Sequence, residues 1–130
     1  MMHFWLARIS RHYGLLYRDN REFERAIQSY GAVVELNPAH IRAYLERGNL
    51  LWREMGQPHK AIDDFNRVLN IRPGWPVAIF CRAMAHQAAG NHSSAINDLD
   101  LYLQTGDTEW KGEASRQIAL LKIVYPESNI

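Results

Sequence analysis

A chain of 130 residues is long enough to bury a core without disulfides or metals. Its 47% hydrophobic and 22% charged residues are those of an ordinary soluble globular chain, which argues against disorder and against a membrane bundle, and a formal charge of +1 selects no class of partner. A lone Cys81 excludes an intramolecular disulfide and a multi-cysteine zinc site, and suits a reducing cytoplasm.

The opening Met1-Met2-His3-Phe4-Trp5-Leu6-Ala7 is apolar but too short for a signal-peptide core, and no basic segment precedes it. No later run approaches the roughly 18 apolar residues of a membrane span. From there the spacing of apolar residues predicts seven helices. The first covers about residues 3–19 and carries Gly14 at its middle. After Asp19-Asn20-Arg21, a second near 22–36 runs through Ala26-Ile27, Tyr30 and Val33-Val34 and stops at Glu35-Leu36-Asn37-Pro38. Proline ends it because it lacks the amide donor and restricts the residue before it.

A third helix near 40–55 has Gly48 in the matching place and leads through Met55-Gly56-Gln57-Pro58 into a fourth over 58–71. Pro58 suits a first helical turn, where its missing amide costs little. Ala61-Ile62, Phe65 and Val68-Leu69 then repeat the second helix, and Asn70-Ile71-Arg72-Pro73 repeats its stop. Helices near 75–89 and 92–104 form a third copy, with Ala83, the turn Ala89-Gly90-Asn91, Ala95-Ile96, Leu99 and Tyr102-Leu103; Thr105-Gly106-Asp107 replaces the proline stop. The small residues Gly14, Gly48 and Ala83 mark places where a larger side chain would hold two helices apart. A last helix over 108–124 sets Trp110, Ala114, Ile118 and Leu121 on one face, with Lys111, Glu113, Arg116 and Lys122 on the others, as a cap requires. At the opposite end Phe4, Trp5 and Ile9 have no preceding neighbour, so their apolar surface is expected to stay open for a homodimer contact.

The Ala-Ile pairs recur 35 and 34 residues apart. Gly14, Tyr17, Ala26, Tyr30 and Pro38 in the first copy, Tyr44, Gly48, Ala61, Phe65 and Pro73 in the second, and Ala83, Gly90 and Ala95 in the third together resemble the tetratricopeptide repeat family, over about residues 7–107. The resemblance implies an all-α fold, a right-handed superhelical stack of antiparallel helix pairs. One domain would span residues 1–130, with repeats at about 7–40, 41–75 and 76–107 and a capping helix at 108–124. Two departures stand out: one extra residue between Gly48 and Gly56, expected to lengthen the turn or bulge the helix, and the missing third proline. Val33, Val68 and Tyr102 also stand where the family usually has a small alanine, which would set neighbouring helices slightly farther apart.

Little here points to catalysis. His3, His12, His40, His59, His86 and His92 form none of the close helical pairs that ligate zinc. Cys81 and His86, five residues apart on one helix, do not align as nucleophile and base. Asp63-Asp64 and Asp98 with Asp100 read as solvated helix faces rather than acid–base pairs. With no glycine-rich phosphate loop either, no enzyme, no cofactor and no metal is expected.

What the resemblance implies instead is a concave groove lined by the first helix of each pair. Its residues would be Arg8, Arg11, His12, Leu15 and Arg18 from the first copy, Arg42, Leu45, Asn49, Trp52 and Arg53 from the second, and Val77, Phe80, Met84 and Gln87 from the third. Such a groove grades from basic to apolar, fitting a protein or peptide partner with acidic residues at one end and apolar anchors at the other. The clamp with which chaperone-binding members hold a terminal carboxylate is not reproduced: its places hold Arg11, Leu15, Glu46, Val77 and Cys81, and Glu46 would repel a carboxylate. Helical-repeat RNA binding is the alternative for a period of 35, opposed by the second spacing of 34 and a pI of about 8.0. Homodimeric assembly is a further alternative, and no membrane partner is expected.

Overall fold

The computed structural model describes residues 2–17 and 19–126. Among these there is no strand, and seven helices follow one another: α1 (Met2–Tyr17), α2 (Asn20–Leu36), α3 (Ile41–Arg53), α4 (Pro58–Ile71), α5 (Pro76–Ala88), α6 (His92–Gln104) and α7 (Lys111–Val124). Their ends follow from local chemistry. Asp19 caps α2 by accepting the Arg21 amide at 3.0 Å, and the His40 ring caps α3 by accepting the Ala43 amide through Nδ1 at 3.1 Å. Pro58 and Pro76 occupy the first turns of α4 and α5. Asn37 and Arg72, each before a proline, leave the helical region at φ −140° and −130° and so end α2 and α4. Where the third copy lacks a proline, Gly106 turns the chain at φ +79°, a conformation that favours glycine.

Each helix packs on its neighbours in the chain, and α3 also touches α5, so the first helices of successive pairs lie side by side. Three apolar clusters fill the stack, centred on Tyr30, on Phe65 and on Leu99 with Tyr102. The close approach of α3 and α4 depends on Gly48: a Cβ there would lie 2.6 Å from the Phe65 ring. Gly14 behaves differently from the expectation. It lies near the end of α1, and its missing side chain makes room for Phe23, again at 2.6 Å, rather than for Tyr30, which is the counterpart of Phe65. Counting back seven residues in this antiparallel pair brings Ala7, fully buried, opposite Tyr30. Ala7 therefore takes the place that Gly48 takes in the second pair. The α1/α2 hairpin is longer than the others because α1 runs on to Tyr17 and α2 starts already at Asn20.

The extra residue between Gly48 and Gly56 goes into the turn. Helix α3 ends at Arg53, the amides of Glu54 and Met55 both donate to the Leu50 carbonyl, and Gly56 reverses the chain at φ +62°. Tyr102, standing where the family has alanine, is fully buried; its hydroxyl donates to Asp107 at 2.5 Å and accepts the Trp110 amide at 2.8 Å, tying α6 to the start of α7.

Three expectations need correction. Asp64 and Asp98 do not lie on solvated faces: they are 5% and 6% exposed, and each accepts two hydrogen bonds from one guanidinium. Arg47 donates to Asp64 at 2.8 and 2.7 Å, and Arg82 donates to Asp98 at the same two distances while also reaching Asn66 at 3.0 Å. These pairs link the two helices of a repeat where a lone buried carboxylate would be costly. Burial pushes the Asp64 carboxyl above its ordinary range, against the pull of Arg47. Secondly, Phe4 is covered, lying against Tyr30 and the His40 ring, although Met2, Trp5, Leu6 and Ile9 do remain exposed on α1. Finally, α7 is less one-sided than a cap requires: Ala114, Ile118 and Leu121 are buried, but Leu120, Ile123 and Val124 face outward.

Candidate partner-binding groove

Helices α1, α3 and α5 carry the residues expected to line the groove. On α1 and α3 several of them converge. Arg11, Leu15, Asn49 and Arg53 line one cavity of about 180 Å³ together with Glu46, Leu50 and Glu54. Asn49 is held in place by the Trp52 indole, which donates to its Oδ1 at 3.1 Å, and the Arg53 guanidinium lies 5.7 Å from the Trp52 ring. Arg42 and Arg53 are exposed and make no ion pair among the described residues. His12 and Leu15 are exposed, Leu15 at 51%. Arg18 and the side chain of Tyr17 lie outside the described residues.

Other members of the set are already engaged. Leu45 is 6% exposed inside the middle apolar cluster, so it supports the groove wall from behind. Val77 packs against that same cluster and Met84 against the next. Phe80 stacks on Trp110 with centroids 4.8 Å apart and meets Tyr102 edge-on, while Gln87 donates to Gln117 on α7 at 3.1 Å. The C-terminal segment thus covers much of the apolar end.

Glu46 was expected to matter only by repelling a carboxylate. It is instead 9% exposed, with Arg8 at 3.4 Å and Arg11 at 3.8 Å, so the two arginines nearest the groove wall already share a carboxylate. Arg8 also lies over the Trp5 and Phe4 rings. The α1 cations are therefore partly neutralised from within, whereas Arg42 and Arg53 have no ion pair among the described residues. Cys81 gives no reactive centre: burial pushes its thiol up to about 11. Among the described residues no three His, Cys, Asp or Glu side chains converge on a common point, and no helix is long and apolar enough to cross a membrane.

Two family models match this chain, one described as TPR repeat over residues 14–54 and one as Tetratricopeptide repeat over residues 41–74. The chain is a tetratricopeptide repeat protein. A curated relative, the tetratricopeptide repeat and J domain-containing co-chaperone DNJ1 of Cryptococcus neoformans, is 31% identical over 107 residues, 75% of this chain. Those residues amount to 20% of that relative, so the chain spans about a fifth of its length. Among solved structures, the Yersinia enterocolitica type III secretion chaperone SycD, in complex with a peptide of the translocator YopD, is similar with a TM-score of 0.79 at 20% identity, over 94% of this chain and 91% of that one. The first TPR domain of Spaghetti (RPAP3), bound to the HSP90 peptide SRMEEVD, is similar with a TM-score of 0.72 at 17% identity, over 93% and 94%. These likenesses establish the tetratricopeptide-type superhelix of antiparallel pairs.

Proposed function

We propose that this tetratricopeptide repeat protein is a non-enzymatic interaction module that holds a peptide or protein partner against α1 and α3. The observation that carries the reading is the cavity where Arg11, Leu15, Asn49 and Arg53 meet from two helices, beside Trp52. Arg42 and Arg53 supply guanidinium forks that make no ion pair among the described residues, and the Trp52 face and Leu15 supply apolar surface within reach of Arg53. A fitting partner presents acidic and apolar side chains close together. The peptides carried by the structures similar to this one support the general mode of binding.

Selection of a random peptide library on the intact chain tests this. Enrichment of acidic–apolar sequences is expected, with affinity falling about tenfold in R42A/R53A and in W52A. Peptides that bind all three proteins equally would refute the groove. A second reading, self-association, is favoured by the exposed Met2, Trp5, Leu6 and Ile9 on α1. Light scattering over a concentration range is then expected to show a dimer that Trp5→Glu abolishes.

A further inference from the structure

Charged pairs of two kinds occur in this molecule. Arg47 with Asp64 and Arg82 with Asp98 are closed: each carboxylate takes two short hydrogen bonds from one guanidinium. The cluster around Glu46 is open. Its ion pairs among the described residues run through Oε1, at 3.4 Å to Arg8 and 3.8 Å to Arg11, and neither contact is a fork. Among the described residues Glu46 Oε2 and Arg11 Nε are buried without a well-formed hydrogen bond, and the buried Tyr30 hydroxyl lies close enough to the Glu46 carboxylate to interact with it. A scaffold rarely leaves buried polar atoms this way, since an unsatisfied donor or acceptor has given up its hydration for nothing in return. The Tyr30 phenol is pushed above its ordinary range, by burial first and then by the Glu46 carboxylate beside it. Two guanidiniums thus face one carboxylate at the wall of a cavity that also holds Arg53 and Glu54.

We propose that Glu46 is a built-in occupant of an anion subsite: its carboxylate fills the seat that Arg8 and Arg11 would otherwise offer to a carboxylate of a partner. It is a specificity-determining residue, which turns away partners that depend on an anion at that point and leaves Arg42 and Arg53 to read charge elsewhere in the groove. This rests on the groove reading above. Removing the Glu46 charge leaves Arg11 and Arg53 lining the cavity with Glu54 as its remaining carboxylate, and frees Arg8 beside them from its pairing with Glu46.

The test uses Glu46→Gln in the full chain and a labelled heptapeptide SRMEEVD as a defined acidic probe, read by fluorescence anisotropy. The control probe has its carboxylates replaced by amides. E46Q is expected to bind the acidic probe at least about tenfold more tightly than the unsubstituted chain. That gain is expected to weaken with salt, to vanish for the amide probe and to be lost in R11A/E46Q. An E46Q protein that is folded by circular dichroism yet binds no better overturns the proposal, as does a gain that survives removal of Arg11. Glu46→Met, which removes the carboxylate and keeps the length, is the second variant. Should neither variant fold, Glu46 is structural and the proposal is wrong. Library peptides selected on the unsubstituted chain decide the groove reading separately, so the two failures are distinguishable.

Discussion

Gly48→Ala is expected to destabilise the protein even though alanine is the better helix former. In the middle of an exposed helix the exchange would gain about 1 kcal/mol from propensity alone. At Gly48 the new Cβ would sit 2.6 Å from Phe65 Cε1 and 2.9 Å from Cζ, distances that a carbon cannot hold. Phe65 has no free direction in which to move, being fully buried in the middle cluster. Helices α3 and α4 must then separate, and overpacking of this kind costs about 1–3 kcal/mol, occasionally more. Because Phe65 cannot yield, the cost falls in the upper part of that range, about 2–3 kcal/mol, and setting the propensity gain of about 1 kcal/mol against it leaves a net loss of about 1–2 kcal/mol. Gly31 is the internal control: it lies within α2, and its nearest neighbour, Arg47 Nη1, is at an ordinary 3.6 Å. Gly31→Ala is expected to stabilise by about 0.5–1 kcal/mol. Urea unfolding followed by circular dichroism compares the two. A Gly48→Ala protein as stable as the parent would refute the argument that this glycine sets the helix separation.

Asp98→Ala would leave Arg82 half-buried with only Asn66 to bind, and is expected to cost about 2–3 kcal/mol, below the fully buried case because the guanidinium keeps some contact with water; a loss under 1 kcal/mol in urea unfolding would sink the idea. Burial lowers the His86 pKa despite the nearby Asp98, so the folded state favours the neutral ring. Its contribution is full above the unfolded value of about 6.5 and is lost as pH falls through the lowered folded value; stability measured across that window is expected to fall less in His86→Gln than in the parent. Cys81, with its thiol pushed up to about 11, is expected to resist a thiol reagent at neutral pH until the chain unfolds, and labelling of the folded protein at the rate of a free thiol would contradict this.

The second helices were the legible part of the sequence. Ala26, Ala61 and Ala95 mark a buried face that must meet a neighbour closely, and the prolines stop the chain for covalent reasons. Accordingly the expected bounds of 58–71 and 92–104 coincide with α4 and α6. The ion pairs were not read, because a carboxylate on a helix looks solvated until its partner is known. Their signal was nonetheless present: Arg47 and Arg82 each precede the small residue of a first helix, and Asp64 and Asp98 each follow the repeat alanine by three. Glu46 had no such repeat to mark it. Its role depends on Arg8 and Arg11 in another repeat, and nothing local announces a contact across that distance.

The position of α1 changes the company of the residues expected to line the groove. Matching Gly14 with Gly48 misaligned the helix by seven residues, and seven residues make nearly two full turns, so the rotation is off by only about 20°. Arg8, Arg11 and Leu15 therefore keep their orientation. What changes is their level along the neighbouring helix: Arg11 and Leu15 meet Asn49, Arg53 and Glu54 at the end of α3. Charge and apolar surface expected at opposite ends of a gradient therefore stand together there, next to Trp52. At the far end the apolar residues are spent on packing, with Phe80 under Trp110 and Gln87 bonded to Gln117. On the function proposed above, the partner to expect is therefore a short segment that places a bulky apolar group beside Leu15 and Trp52 and directs its carboxylate to Arg53, since Glu46 already holds Arg8 and Arg11 and the apolar side chains of α5 are largely engaged by α7 and the core.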